Sequence, residues 1–191
     1  MILDKTYLGS TEIEKIYLGS NVVYELTPIV TNLYSWSDPA TPTPNESATF
    51  EKLYPSGTDM TGLDGWIEFG GVEILSNSNL DYVSDGTHSV EIKSLTIGGS
   101  DNANLFFNVE IGKTYTLSFW AKRNLNDGIL RGSSGWVTGP PETNFTSVGT
   151  IYTFNNLVAN ATQATVTLWS NRTDATTLNS LFIDNVTLIE N

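Results

Sequence analysis

The chain has 191 residues, with 9 Lys and Arg against 21 Asp and Glu, a formal net charge of −12. At roughly 150 residues per domain this allows one sizeable core plus an appendage, and 39% hydrophobic residues can fill that core. Nine dispersed cations exclude nucleic acid as a partner, the absence of cysteine excludes disulfides and thiolate chemistry, and a single histidine excludes a multi-histidine metal site.

Only 16% of residues are charged, against about 25% in average proteins, and Thr, Ser, Asn and Gly fill the gap. That composition suits an all-β protein with neutral polar faces. The N-terminus, Met1-Ile2-Leu3-Asp4-Lys5, carries charge too early for a secretory signal peptide. No apolar window approaches the roughly 20 residues of a membrane span, so no membrane insertion is expected.

The first element in chain order is a short repeat. Lys5-Thr6-Tyr7-Leu8-Gly9-Ser10 returns as Lys15-Ile16-Tyr17-Leu18-Gly19-Ser20, followed by Asn21-Val22-Val23-Tyr24-Glu25. Each copy is β-prone and closed by turn residues, so residues 1–28 are expected to form a β-meander of about three strands. Three such strands bury too little apolar surface to stand alone, which points to docking on this chain's main domain or on another protein. Residues 29–46 contain Pro39, Pro42 and Pro44, a semi-rigid linker flanked by Tyr34 and Trp36. Residues 47–191 then form the main domain. Its expected strands are Ala48–Leu53, Trp66–Leu75, His88–Lys93, Ala103–Glu110, Thr114–Arg123, Gly149–Phe154, Ala164–Ser170 and Ser180–Ile189. Short strands at this spacing, without helical periodicity, read as a β-sandwich jelly roll.

Nothing in the sequence requires an enzyme. His88 lies in a turn-like Asp85-Gly86-Thr87-His88-Ser89 with no evident nucleophile. Glu68, Glu73, Asp81 and Asp85 are carboxylates in an acid-rich chain, where a pair of the glycosidase kind arises cheaply.

Strand parity carries more. In Tyr115–Lys122, Tyr115, Leu117, Phe119 and Ala121 should face the core, which puts Trp120 outside with Thr116, Ser118 and Lys122. The same count puts Trp169 outside with Thr165 and Thr167, and Phe106 outside with Asn108. Exposed rings among polar neighbours mark a contact surface, and flat aromatic faces rimmed by hydrogen-bonding groups suit sugar rings. Trp136, in the loop-like Gly132–Val137, and Arg131 beside it complete the candidate ligand set. The alternative is that loops or a neighbouring subunit cover these rings.

Five segments in order then resemble the CenC-like carbohydrate-binding modules, jelly rolls of the galactose-binding-like group. They are Thr49-Phe50-Glu51, Gly65-Trp66, Asp85–Val90, Val109–Lys122 and Leu181–Leu188. The resemblance covers about residues 47–190 and implies a structural calcium at Glu51, Asp85 and Asp184, whose oxygens are the ligands calcium takes. The tandem Lys-Ile-Tyr-Leu-Gly-Ser stretch resembles the start of phage virion proteins. That implies a non-enzymatic head or tail fibre or decoration protein, assembled into virions in the host cytoplasm, held to other virion proteins through residues 1–28 and homo-oligomeric. It would display the jelly roll to host or mucosal glycans. The alternatives are a carbohydrate-binding module of a bacterial polysaccharide-degrading system and a ligand-free structural jelly roll.

Overall fold

In the computed structural model the described residues are 2–8, 11–18 and 21–25 as backbone, and 57, 59, 65–84, 86–96, 102–125, 128–170 and 179–191 in full. The strand expected at Ala48–Leu53, the linker 29–46, Glu51 and Asp85 lie outside them. The chain divides into two compact units, Met1–Thr31 and Asn32–Asn191.

The first unit is an antiparallel sheet of β1 (Ile2–Leu8), β2 (Thr11–Leu18) and β3 (Asn21–Glu25) in sequential order. Register pairs Leu3 with Ile16 and Ile16 with Tyr24, so the two repeat copies lie antiparallel on neighbouring strands.

The second unit is a β-sandwich jelly roll. One sheet has six strands in the order β10 (Trp136–Thr138), β12 (Thr150–Ala159), β8 (Thr114–Arg123), β14 (Asn179–Glu190), β6 (Ser89–Ser94) and β5 (Val72–Asn77). The other has five, in the order β11 (Thr143–Asn144), β9 (Gly128–Ser134), β13 (Gln163–Ser170), β7 (Asn102–Asn108) and β4 (Trp66–Phe69). Alternation places Leu117, Ala121, Ile183, Leu188, Val90 and Ile92 of the first sheet against Leu105, Leu130, Val166 and Leu168 of the second, all fully buried. At roughly 1.5–3 kcal/mol per large apolar side chain removed from water, this inter-sheet layer is the dominant favourable term.

Two expectations change. Trp66–Leu75 is not one strand: β4 and β5 belong to opposite sheets, and the chain crosses between them at Gly70, whose φ of 81° suits only glycine. The stretch expected to be a loop around Trp136 is two strands, β9 and β10, which also lie in opposite sheets. They meet at Gly135 with φ 79°, where a Cβ would stand 2.7 Å from Ala164 Cα.

The outward face of the six-stranded sheet is partly roofed. A short 3-10 turn, Leu80–Tyr82, is capped by Asn79, whose side chain accepts from the Asp81 N–H at 3.1 Å. It lays Tyr82 on Phe182 with ring centroids 4.0 Å apart, and Lys122 donates to the Asp81 carbonyl. Ser84 N–H donates to Asp184 Oδ2 at 2.8 Å, tying this segment to β14.

Candidate functional site

The outward face of the five-stranded sheet gathers the chemistry-bearing side chains. Strand pairing lines up three rows across it, each step about 4.8 Å from strand to strand. The first row is Ile129, Trp169, Asn102 and Phe69; the second is Gly132, Thr167, Asn104 and Ile67; the third is Ser134, Thr165 and Phe106. These side chains face outward because their alternating partners, Ala164, Val166, Leu168, Ala103 and Leu105, are wholly buried. Trp169 and Phe69 stand in the first row and Phe106 in the third, while the middle row has no side chain at Gly132, small or amide groups at Thr167 and Asn104, and the exposed Ile67 at its end. Aromatic rings thus flank a middle row that is low over Gly132, Thr167 and Asn104. Phe69 is 47% exposed and Ile67 39%, while Trp169 and Phe106 are half-buried.

Two polar features stand out on this face. Asn104 Oδ1 is buried and has no hydrogen-bond donor among the described residues, a costly state for an acceptor. Arg131 sits at an irregularity in the β9–β13 pairing, its guanidinium carbon 5.2 Å from the centre of the Trp169 ring. Its Nε lies 3.8 Å from Glu142 Oε2, an exposed ion pair beyond hydrogen-bond length. On the third row, Ser134 Oγ and Thr165 Oγ1 are 2.8 Å apart and satisfy each other.

The residues expected to bind ligand therefore separate. Trp169, Arg131 and Phe106 share the five-stranded face. Trp120 faces outward from the six-stranded sheet as parity requires, but it is only 9% exposed, because the segment before β12 folds over its indole at Gly149. The expectation that Trp120 is exposed is corrected: the ring offers no open face. Trp136 is 8% exposed, donates from Nε1 to the Thr165 carbonyl at 3.1 Å and meets Tyr115 edge to face at 6.1 Å. It belongs to the core, because the β9–β10 crossing turns it inward. Asn102, Asn104, Thr167, Ile67, Phe69 and Ile129 were not singled out by sequence, although the alternation Asn102-x-Asn104-x-Phe106-x-Asn108 is itself a signal of one decorated face.

Of the expected calcium ligands, only Asp184 lies within the described residues. It is fully buried in β14, with Oδ2 accepting from Ser84 N and Oδ1 from Asn185 N, each at 2.8 Å. Asn185 follows with φ 51° at a break in the β8–β14 register, and its buried Oδ1 has no donor. A carboxylate beside an orphan amide oxygen is oxygen-donor chemistry that fits calcium. Among the described residues no group of three or more His, Asp or Glu converges. His88 precedes β6 with Nδ1 2.8 Å from Thr87 Oγ1, and Glu73 pairs with Lys93 at 3.0 Å.

No protein-family model and no curated sequence matches this chain. Solved structures do. Part of an arabinose-bound α-L-arabinofuranosidase superposes with a TM-score of 0.54 at 12% identity, over 84% of this chain and 26% of that one. The module TmCBM61, in complex with β-1,4-galactotriose, gives 0.48 at 17% identity over 66% and 88% of the two chains. The enzymatically active domain of bacteriophage CBA120 tailspike protein 4 gives 0.49 at 17% over 66% and 19%. At these identities the likeness is one of fold.

Proposed function

We propose that the Asn32–Asn191 unit is a glycan-binding jelly roll that acts without catalysis, and that its ligand lies on the outward face of the five-stranded sheet. The observation that carries this reading is the shared row: the exposed Phe69 and the half-buried Trp169 supply apolar surface for the C–H faces of sugar rings, and Arg131, lying over the Trp169 ring, adds hydrogen-bond donors at its edge. The likeness in fold to part of an arabinose-bound α-L-arabinofuranosidase is in keeping with it.

In the same proposal the protein is a phage virion component, a head or tail fibre or decoration protein, with the first unit attaching it to other virion proteins. The tandem repeat and its independent three-stranded sheet support that part. Homo-oligomerisation would multiply weak single-site affinity. Calcium is proposed as a structural ion at Asp184, with Asn185 beside it and Glu51 and Asp85 as its expected further ligands. Chelation with EDTA is then expected to lower the melting temperature.

The test is affinity electrophoresis through gels containing galactan, xylan, β-glucan or alginate. Wild type is expected to be retarded by at least one polymer, and Trp169→Ala to lose at least tenfold in affinity, about 1.4 kcal/mol, with little change in melting temperature. No retention on any polymer overturns the glycan reading. Deleting residues 1–28 is expected to abolish incorporation into particles.

A further inference from the structure

Five cations of the second unit are described, and four of them are committed to the fold. Lys93 donates to Glu73 at 3.0 Å and Lys113 to Glu190 at 2.7 Å; Lys122 donates to the Asp81 carbonyl. Arg123 donates to the carbonyls of Phe145 and Leu125 at 2.9 and 2.8 Å. Arg131 differs: among the described residues its guanidinium makes no hydrogen bond, and it is held only by the Trp169 ring and by Glu142 at 3.8 Å.

We infer that Arg131 makes this face selective for an acidic sugar unit, one bearing a carboxylate. This inference rests on the glycan reading of the same face. A guanidinium carries five N–H donors in a planar fork that matches a carboxylate two bonds at a time. The Trp169 ring holds that fork while its N–H groups have no acceptors among the described residues, which preorganises it and reduces the ordering cost of binding. A further feature points to a ligand. Glu142, 58% exposed, holds Arg131 so loosely that a ligand carboxylate can displace it. The chain's net charge of −12 opposes a polyanion at long range, but that repulsion is screened beyond about 8–10 Å at physiological ionic strength. Local contact at Arg131 therefore decides.

The test compares oligogalacturonate and oligomannuronate with the same oligosaccharides after reduction of their carboxyl groups, by titration calorimetry on the full chain, for wild type, Arg131→Ala, Arg131→Lys and Trp169→Ala. A sulfated oligosaccharide serves as a further anionic arm. Wild type is expected to bind an acidic oligosaccharide at least tenfold more tightly than its reduced counterpart. Arg131→Ala is expected to bring the acidic form down to the level of the reduced one, and Arg131→Lys to recover part of the difference. Trp169→Ala is expected to weaken both. Thermal melts check that each variant is folded. Equal binding of acidic and reduced forms, or Arg131→Ala with unchanged preference, overturns the inference and leaves the glycan reading standing. Binding of the sulfated sugar in preference to the carboxylated one overturns the carboxylate assignment. Failure of every sugar, neutral polymers included, overturns the glycan reading and this inference with it.

Discussion

Gly149 lies flat against the indole of Trp120: a Cβ at position 149 would stand 2.5 Å from Trp120 Cε2 and 2.6 Å from Nε1. The glycine is what lets the chain close over the ring, so the two positions form one packing unit. Gly149→Ala is expected to destabilise the fold by about 1–3 kcal/mol through overpacking. Trp120→Ala, by emptying the same space, is expected to cost about 3–5 kcal/mol. Urea denaturation measures both, and a Trp120→Ala protein of native stability would show the ring to be a surface group after all.

Asn104 should separate stability from binding. Its buried Oδ1 has no donor, so Asn104→Leu removes an unmet acceptor and is expected to leave stability unchanged or raise it by about 1 kcal/mol. The half-buried Asn104 side chain also lies in the middle row of the proposed glycan face, so glycan retention is expected to fall. A melt and a retention assay on one preparation read both signs.

Asp184 accepts two backbone N–H groups from inside β14 and from the segment that roofs it. Asp184→Ala leaves the N–H groups of Ser84 and Asn185 without these acceptors; both bonds are only part-buried, so a loss of about 1–3 kcal/mol in all is expected. Asp184→Asn keeps acceptor capacity and is expected to lose less. Chemical denaturation ranks the three proteins.

Lys113 and Glu190 join the start of β8 to the end of the chain at 2.7 Å. The hydrogen bond to the Glu190 carboxylate, then its charge, raise the Lys113 pKa above its ordinary 10.5. Because the folded pKa is the higher one, the pair's stabilisation is fully present from neutral pH to about 10.5 and fades as pH rises through the folded value. The difference in stability between wild type and Lys113→Met is therefore expected to be flat up to about pH 10 and to shrink above it, as followed by melting temperature against pH.

The fold was largely legible. Alternation in Thr114–Arg123 and Ala164–Ser170 assigns inward and outward sides correctly, with Leu117 and Val166 wholly buried. Parity states which side a residue faces, though, and not whether something lies on top. Trp120 and Trp169 read alike in sequence; Gly149 covers one, while the other keeps partial exposure beside Arg131. Trp136 reads as a loop residue yet lies in the core, because a glycine at positive φ lets the chain change sheets within one residue, an event with the local sequence of an ordinary loop. The Arg131–Trp169 contact spans separate strands at a register irregularity, and no spacing along the chain announces it. The run of alternating asparagines on β7 does not mark a site by itself, because its meaning depends on Thr167 and Ile67 arriving on either side.

In β13, Ala164, Val166 and Leu168 are fully buried while Thr165, Thr167 and Trp169 occupy the rows of the opposite face. Odd and even positions of one strand thus answer to separate demands, one to the interior and one to the outer surface. A descendant of this protein can change the surface it presents through a few codons at alternate positions, while the residues that let it fold are inherited untouched.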